Sequence, residues 1–283
     1  MVSVRVLSQL ISGIKKMLSF NNIGNLGRLA NQMFQYASLK GIARNRGYEF
    51  MIPPKDFFGR NDKNVRQERC NLYNVFKVEE KNNIGLQQYP ILQERFHEFD
   101  KELFINCPDN VDLFGYYQTQ KYFKHIEDEI REDFTFDEVL SYDCKQTFSK
   151  FLGDVDAISL HIRRGDYMVN PNHPVQPISY YEQALEQLPK DAPVLVFSDD
   201  PLWCQDQEIF EPDRFFISQG NTADVDMCLM SMCRWHIIAN SSFSWWGAWL
   251  ANSEKIFAPK NWFDAECKDK KVKDMSFGDW SWL

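Results

Sequence analysis

A histidine, two arginines and an aspartate share the seven residues "HIRRGDY" (161–167), directly behind the apolar run "DVDAISL". That run reads as a buried strand, so the charged residues fall at its carboxyl end. Alternation along the strand sets His161 and Arg163 on one side and Arg164 on the other. Arg163 then points beyond the strand end, and Arg164 is expected to pair with a carboxylate such as Asp166. A guanidinium fork in that position suits bidentate contact with phosphate. The competing readings are a salt-bridged turn and an "RGD" adhesion signal, and the buried strand in front argues against the second.

"WHIIANSSFSWWGAW" (235–249) has the same layout with a different device. A strand ends at Asn240, Ser241 and Ser242 occupy a turn, and a helix follows. Free N–H groups at such a helix start, with its dipole, can hold an anion without a lysine. Ser242 as a plain N-cap is compatible with that role, and "NSS" also fits a glycosylation sequon. Trp245, Trp246 and Trp249 stand at helical spacing, which favours core over a sugar platform. "GNLGRLANQ" (24–32) is a third glycine-containing turn between strand and helix. It matches neither the dinucleotide nor the P-loop fingerprint. Three such turns, two with arginine, point to a nucleoside diphosphate ligand. "DVD" (224–226) has the form of a metal motif, but it opens a predicted helix and is read as metal-free.

The elements that must position these residues alternate. Residues 17–46 read strand, glycine turn, helix; 111–123 read strand and helix start; "KHIEDEIREDFTF" continues as a helix with Ile126 and Ile130 on one face. Residues 53–110 carry no assignable pattern. From 150 onward the sequence runs strand, helix (with a capping box, Ser179 and Glu182), strand, strand, helix, strand, helix, and a last short strand "KIFAP". The pattern implies α/β architecture with parallel sheets, whose ligands sit at the strands' carboxyl ends. Two α/β halves meeting near residue 150 would place a cleft between them.

Composition narrows the partners. The 283 residues carry a formal net charge of −8, which argues against nucleic acid. Aromatics make up 15% of the chain, a high share that is compatible with a sugar site but more often serves plain core or surface packing. Seven cysteines, without metal spacing, read as reduced thiols and imply a cytoplasmic location. The opening "MVSVRVLSQLISGIKKMLSF" is interrupted by Arg5, Lys15 and Lys16, so it is no membrane anchor. A lead-in to the first strand is expected there, with weak membrane-surface contact as the alternative.

"GRLANQMFQYA", "GYYQTQKYF", "HIRRGDY", "VFSDD" and "DMCLMSMCRWHIIANSSFSWWGAWL" occur in the order and spacing of glycosyltransferase family 11, the α-1,2-fucosyltransferases. This resemblance covers nearly the whole chain and implies a GT-B fold of two Rossmann-like α/β domains, 1–152 on the acceptor side and 153–283 on the donor side, with the active-site cleft between them. It further implies inverting transfer of L-fucose from GDP-fucose to the 2-hydroxyl of a galactoside in a glycan acceptor, with no metal or other cofactor. It makes Arg163 the arginine that meets the GDP phosphates and Asp226 the guanine reader. Ser241, Ser242 and Phe243 lie on the phosphate backbone turn, and Arg28 and Asn31 on the N-terminal loop. His161, Asp166 or an N-terminal carboxylate could act as general base, and a base-free route is also open. Arg28 and Ala30 bring the loop closer to the animal pattern than to the bacterial one. Alternatives are an α-1,6- or protein O-fucosyltransferase, or a non-catalytic sugar- or nucleotide-binding module.

Overall fold

A computed structural model describes residues 15–55, 70–78, 88–95, 97–152, 155–267 and 272–283. The expected lead-in before residue 15 lies outside them. β1 (Met17–Ser19), β2 (Glu49–Met51), β3 (Ile91–Gln93) and β4 (Val111–Phe114) form one parallel sheet in the order β2-β1-β4-β3. β5 (Ile158–Ile162), β6 (Val194–Ser198), β7 (Phe215–Ile217), β8 (Trp235–Ile237), β9 (Lys255–Ala258) and β10 (Trp280–Trp282) form a second parallel sheet. Its order is β10-β9-β8-β5-β6-β7. β5 and β6, whose apolar runs were the clearest, are buried almost throughout. Such runs need cover on both faces, as parallel sheets have.

The first sheet is organised by the helix Leu29–Arg46, which is buried along most of its length and ends in Gly47 at φ 66°. A left-handed C-terminal glycine of this kind stops the helix and releases the chain into β2. Its own apolar side chains pack on β1, β4 and the segment 117–123. Less expected is what lies on its other side. The helix Ser242–Leu250, from the C-terminal half, plants Trp245, Trp246 and Trp249 in the same core, all at most 1% exposed. Phe34 lies 4.5 Å from Trp245 and 4.8 Å from Trp246, and Phe123 stacks on Trp246 at 5.6 Å. The tryptophans are therefore core, but core shared by both halves. In the reverse direction, helix Glu138–Leu152 presents Cys144 to the helix Ala223–Met230.

Four expectations are corrected. The capping box fails: Pro177, extended at φ −71°, holds the cap of helix Ile178–Leu185, so Ser179 sits inside the first turn. The 124–136 helix shrinks to Glu127–Asp133 behind two 3₁₀ turns, although Ile130 is buried as expected. Residues 53–110 do contain structure, including β3 and the helix Lys101–Asn106, whose cap Asp100 accepts from the Leu103 amide at 3.0 Å. β10 follows "KIFAP" as a further edge strand. Three-residue strands carry too little alternation to be read.

Candidate active site

The carboxyl ends of both sheets open onto one cleft of about 670 Å³. From the first sheet, the loop after β1 brings Gly27, Arg28 and Asn31, the end of β4 brings Tyr116 and Gln118, and β3 leads to His97. From the second sheet, every strand but the edge strand β10 contributes. All nine residues singled out from the sequence line this cleft: Arg28, Asn31, His161, Arg163, Asp166, Asp226, Ser241, Ser242 and Phe243.

Arg163 is oriented as strand alternation requires, but its partners differ from expectation. It pairs with Asp166, and its Nη1 lies 2.9 Å from Asp199. Arg164, expected to take Asp166, turns away to Asp200 at 3.1 Å and lies flat on Trp203 at 3.9 Å. Alternation decided the division, since Asp166 lies on Arg163's side of the turn. Asp199, at the end of β6, holds both halves of the motif, because its other oxygen accepts from the Arg164 amide at 2.8 Å. Gly165 makes that approach possible: a Cβ there would stand 2.3 Å from the Asp199 carboxylate.

His161 is buried, and its Nδ1 is 2.9 Å from Ser244 Oγ. Burial, and secondarily the Arg163 charge, push its pKa down to about 3, so the ring is neutral. Its ring packs on Phe243 at 5.6 Å. Tyr167 donates to the Asn240 carbonyl at 3.0 Å, and burial raises its phenol to about 12, so it remains a donor.

At the helix Ser242–Leu250 the cap is Ser241, not Ser242; Ser241 Oγ accepts from the Phe243 amide at 3.3 Å. Ser242 is thereby free for another task, and its hydroxyl donates to Asn31 Oδ1 at 2.9 Å. Asn31 also receives Gln118 Nε2 at 2.8 Å, so it ties the loop after β1 to the serine turn across the cleft. The loop turns at Gly27 (φ 92°), where the Asn31 side chain fills the space a Cβ would need. The start of this helix thus faces the cleft with polar groups from both halves around it, an anion-accepting arrangement.

Asp226, on the helix Ala223–Met230, accepts from Ser218 Oγ at 2.6 Å and Asn221 Nδ2 at 3.4 Å. Burial raises its pKa despite those bonds. Among the described residues no three His, Cys, Asp or Glu side chains are grouped to hold a metal ion. Among the described residues no helix is long and apolar enough to cross a membrane. Sequence reasoning missed Asp199 and a set of rings, Tyr116, His97, Phe263 and His173, contributed by four separate loops. Only the "VFSDD" strand end hinted at Asp199.

Comparison with known proteins follows the same lines. The family described as Glycosyl transferase family 11 matches residues 3–283. An alpha-1,2-colitosyltransferase of Escherichia coli is 33% identical over 87% of this chain and 96% of its own length. Galactoside alpha-(1,2)-fucosyltransferase 2 of Bos taurus is 27% identical over 83% of this chain and 70% of its own. Among solved structures, the fucosyltransferase NodZ from Bradyrhizobium matches with a TM-score of 0.56 at 14% identity, over 86% of this chain and 95% of that one. The fold is the GT-B-like arrangement of such fucosyltransferases.

Proposed function

The chain belongs to glycosyltransferase family 11, and on that premise we propose that it transfers L-fucose from GDP-fucose to the 2-hydroxyl of a galactoside, with inversion and without a metal ion. The observation that carries the reading is the order of groups along the second sheet's carboxyl edge. Asp226 follows β7, Asp199 ends β6, Arg163 follows β5, and the serine-capped helix follows β8. A base reader, a cation and an anion-binding helix start therefore succeed one another along one line, as a nucleoside diphosphate requires. The alpha-1,6-fucosyltransferase NodZ has a crystal structure soaked with GDP-fucose, which supports the same donor here.

In the reaction the acceptor oxygen forms a bond to the fucose anomeric carbon as the bond from that carbon to the β-phosphate oxygen breaks. The bonding pair leaves with GDP. Charge grows on the diphosphate, where Arg163 and the amides at residues 242–243 meet it. Such preorganised donors act more strongly on the transition state than on the ground state. His161, neutral with a pKa of about 3, is too weak a base for neutral pH. Asp166 suits the role better: once the diphosphate takes Arg163, its exposed carboxylate is released to accept the hydroxyl proton.

A second reading of the donor is favoured by the E. coli relative: colitose is the 3-deoxy counterpart of L-fucose. Incubation with GDP-fucose and GDP-colitose in turn, with linkage analysis of the product, tests both. Release of GDP from neither donor, with galactoside present, would overturn the proposal.

A further inference from the structure

Two of the aromatic systems among the described residues differ sharply in their burial. The tryptophan system of the helix Ser242–Leu250 is sealed from solvent. The other is half-buried and lines the cleft. It climbs from Arg163 in steps. The guanidinium lies 5.2 Å over the Tyr167 ring, and Tyr167 stacks on His173 at 5.0 Å. His173 meets Phe263 at 5.2 Å, Phe263 meets His97 at 5.7 Å, and His97 stacks on Tyr116 at 6.3 Å. The first two rings and Phe263 come from the C-terminal half, and His97 and Tyr116 from the N-terminal half, so the ladder spans the cleft.

The sheet order fixes where this ladder lies relative to the donor. Phe263 follows β9, which adjoins β8 on the side away from β5, β6 and β7. With strands about 4.8 Å apart, the Asp226 end and the Phe263 end of the edge are separated by four strand spacings, roughly 19 Å. A nucleotide read at Asp226 with its diphosphate at Arg163 therefore leaves the β9 end unfilled.

We propose that the ladder is the platform on which the galactose ring of the acceptor stacks; the proposal rests on the transferase reading above, which supplies that acceptor. Galactose, with its axial 4-hydroxyl, presents three C–H bonds on one ring face, which fits an aromatic surface. Its hydroxyls fit a wall where two of the rings are imidazoles able to donate or accept. A gluco-configured sugar has its C4–H on the opposite face, so it lacks the contiguous H3, H4, H5 patch and stacks less well on the same surface.

The test is Phe263→Ala beside Phe263→Leu and Phe263→Tyr, with methyl β-galactoside as probe. Acceptor KM, GDP affinity by calorimetry, and saturation-transfer NMR of the probe are measured on each folded variant. The acceptor KM is expected to rise about tenfold in Phe263→Ala, the size of a lost ring contact together with its buried area. Phe263→Tyr should restore it and Phe263→Leu only in part. Saturation transfer to H3, H4 and H5 should fade in Phe263→Ala, while GDP affinity stays within about twofold. An unchanged acceptor KM overturns the platform and leaves the donor reading intact. A parallel loss of GDP affinity also overturns it, because the ladder would then serve the nucleotide. Absence of GDP binding in the unmodified protein would instead defeat the transferase reading itself.

Discussion

Replacing Arg163 with alanine removes the cleft's central cation and leaves two carboxylates behind. In the structure Asp199 at 2.9 Å and Asp166 flank the guanidinium, which is only 17% exposed. A guanidinium about 5 Å from a phosphate, at an effective dielectric of about 20, contributes roughly 3 kcal/mol. That corresponds to about 150-fold, and the newly uncompensated carboxylates add repulsion to the loss. The expected fall in kcat/KM is therefore about 10²–10³, in the range of a lost oxyanion donor. Arg163→Lys should recover less than about a tenth of it, since a point charge cannot fork between two oxygens. Adding Asp166→Asn to Arg163→Ala removes one repulsive charge, so GDP affinity by calorimetry should recover several-fold while turnover stays low. Purified, folded Arg163→Ala that keeps turnover within threefold at saturating donor would refute this account of the site. A double variant that binds GDP no better than the single one would refute the electrostatic part alone.

Further outcomes follow from the same geometry. Arg164→Ala should cost stability rather than chemistry, since Arg164 braces Asp200 and Trp203: a loss of about 1–2 kcal/mol lowers Tm by roughly 2–8 °C, and a fall in kcat without a Tm change would contradict it. Asp226→Ala should weaken GDP binding and blunt its preference over UDP, as uracil lacks the donor pair a carboxylate accepts from guanine; wild-type affinity for GDP would move the base contact elsewhere. EDTA should leave activity intact, and a loss restored by Mn²⁺ or Mg²⁺ would overturn the metal-free mechanism. Burial depresses His161 to about 3 and His236 to about 4, so the unfolded chain binds more protons below pH 6.5, and stability present above that pH is lost as it falls towards 4. Glu94, raised by burial to about 7, acts in the opposite sense between pH 7 and 4.5; Glu94→Gln should therefore steepen the fall of Tm with acid, and an unaltered slope would refute its raised pKa.

The strand ends were readable because β5, β6 and the β8 region carry long apolar runs that stop abruptly at polar turns. Arg163 and Ser241 could be found that way, each being tied to a strand or helix terminus, whereas Asp226 was reached only through the family resemblance. The partner of each was harder. Alternation predicted which way Arg163 points but not that Asp199, 36 residues on, would share it, because that depends on β6 lying beside β5. The ring ladder was illegible for a related reason: Tyr116, His97, Phe263 and His173 follow different strands and meet only when two sheets face each other. The serine cap shifted by one residue from expectation, since a helix start is fixed by backbone geometry that "SS" leaves open.

The helix Ser242–Leu250 belongs by sequence to one half and by its tryptophans to the other. Recombination within the family would meet this directly. A chimera joined near residue 152 imports not only the second sheet but also large rings packed against Phe34, Phe123 and Phe134 of the original first half. A foreign first half would have to offer matching hollows or leave those indoles uncovered. Swapping acceptor preference between relatives should thus succeed by exchanging single loops around the cleft, such as those bearing His97 and Tyr116, and fail by exchanging whole halves. The chain divides at its sheets, but its largest core is shared across that division.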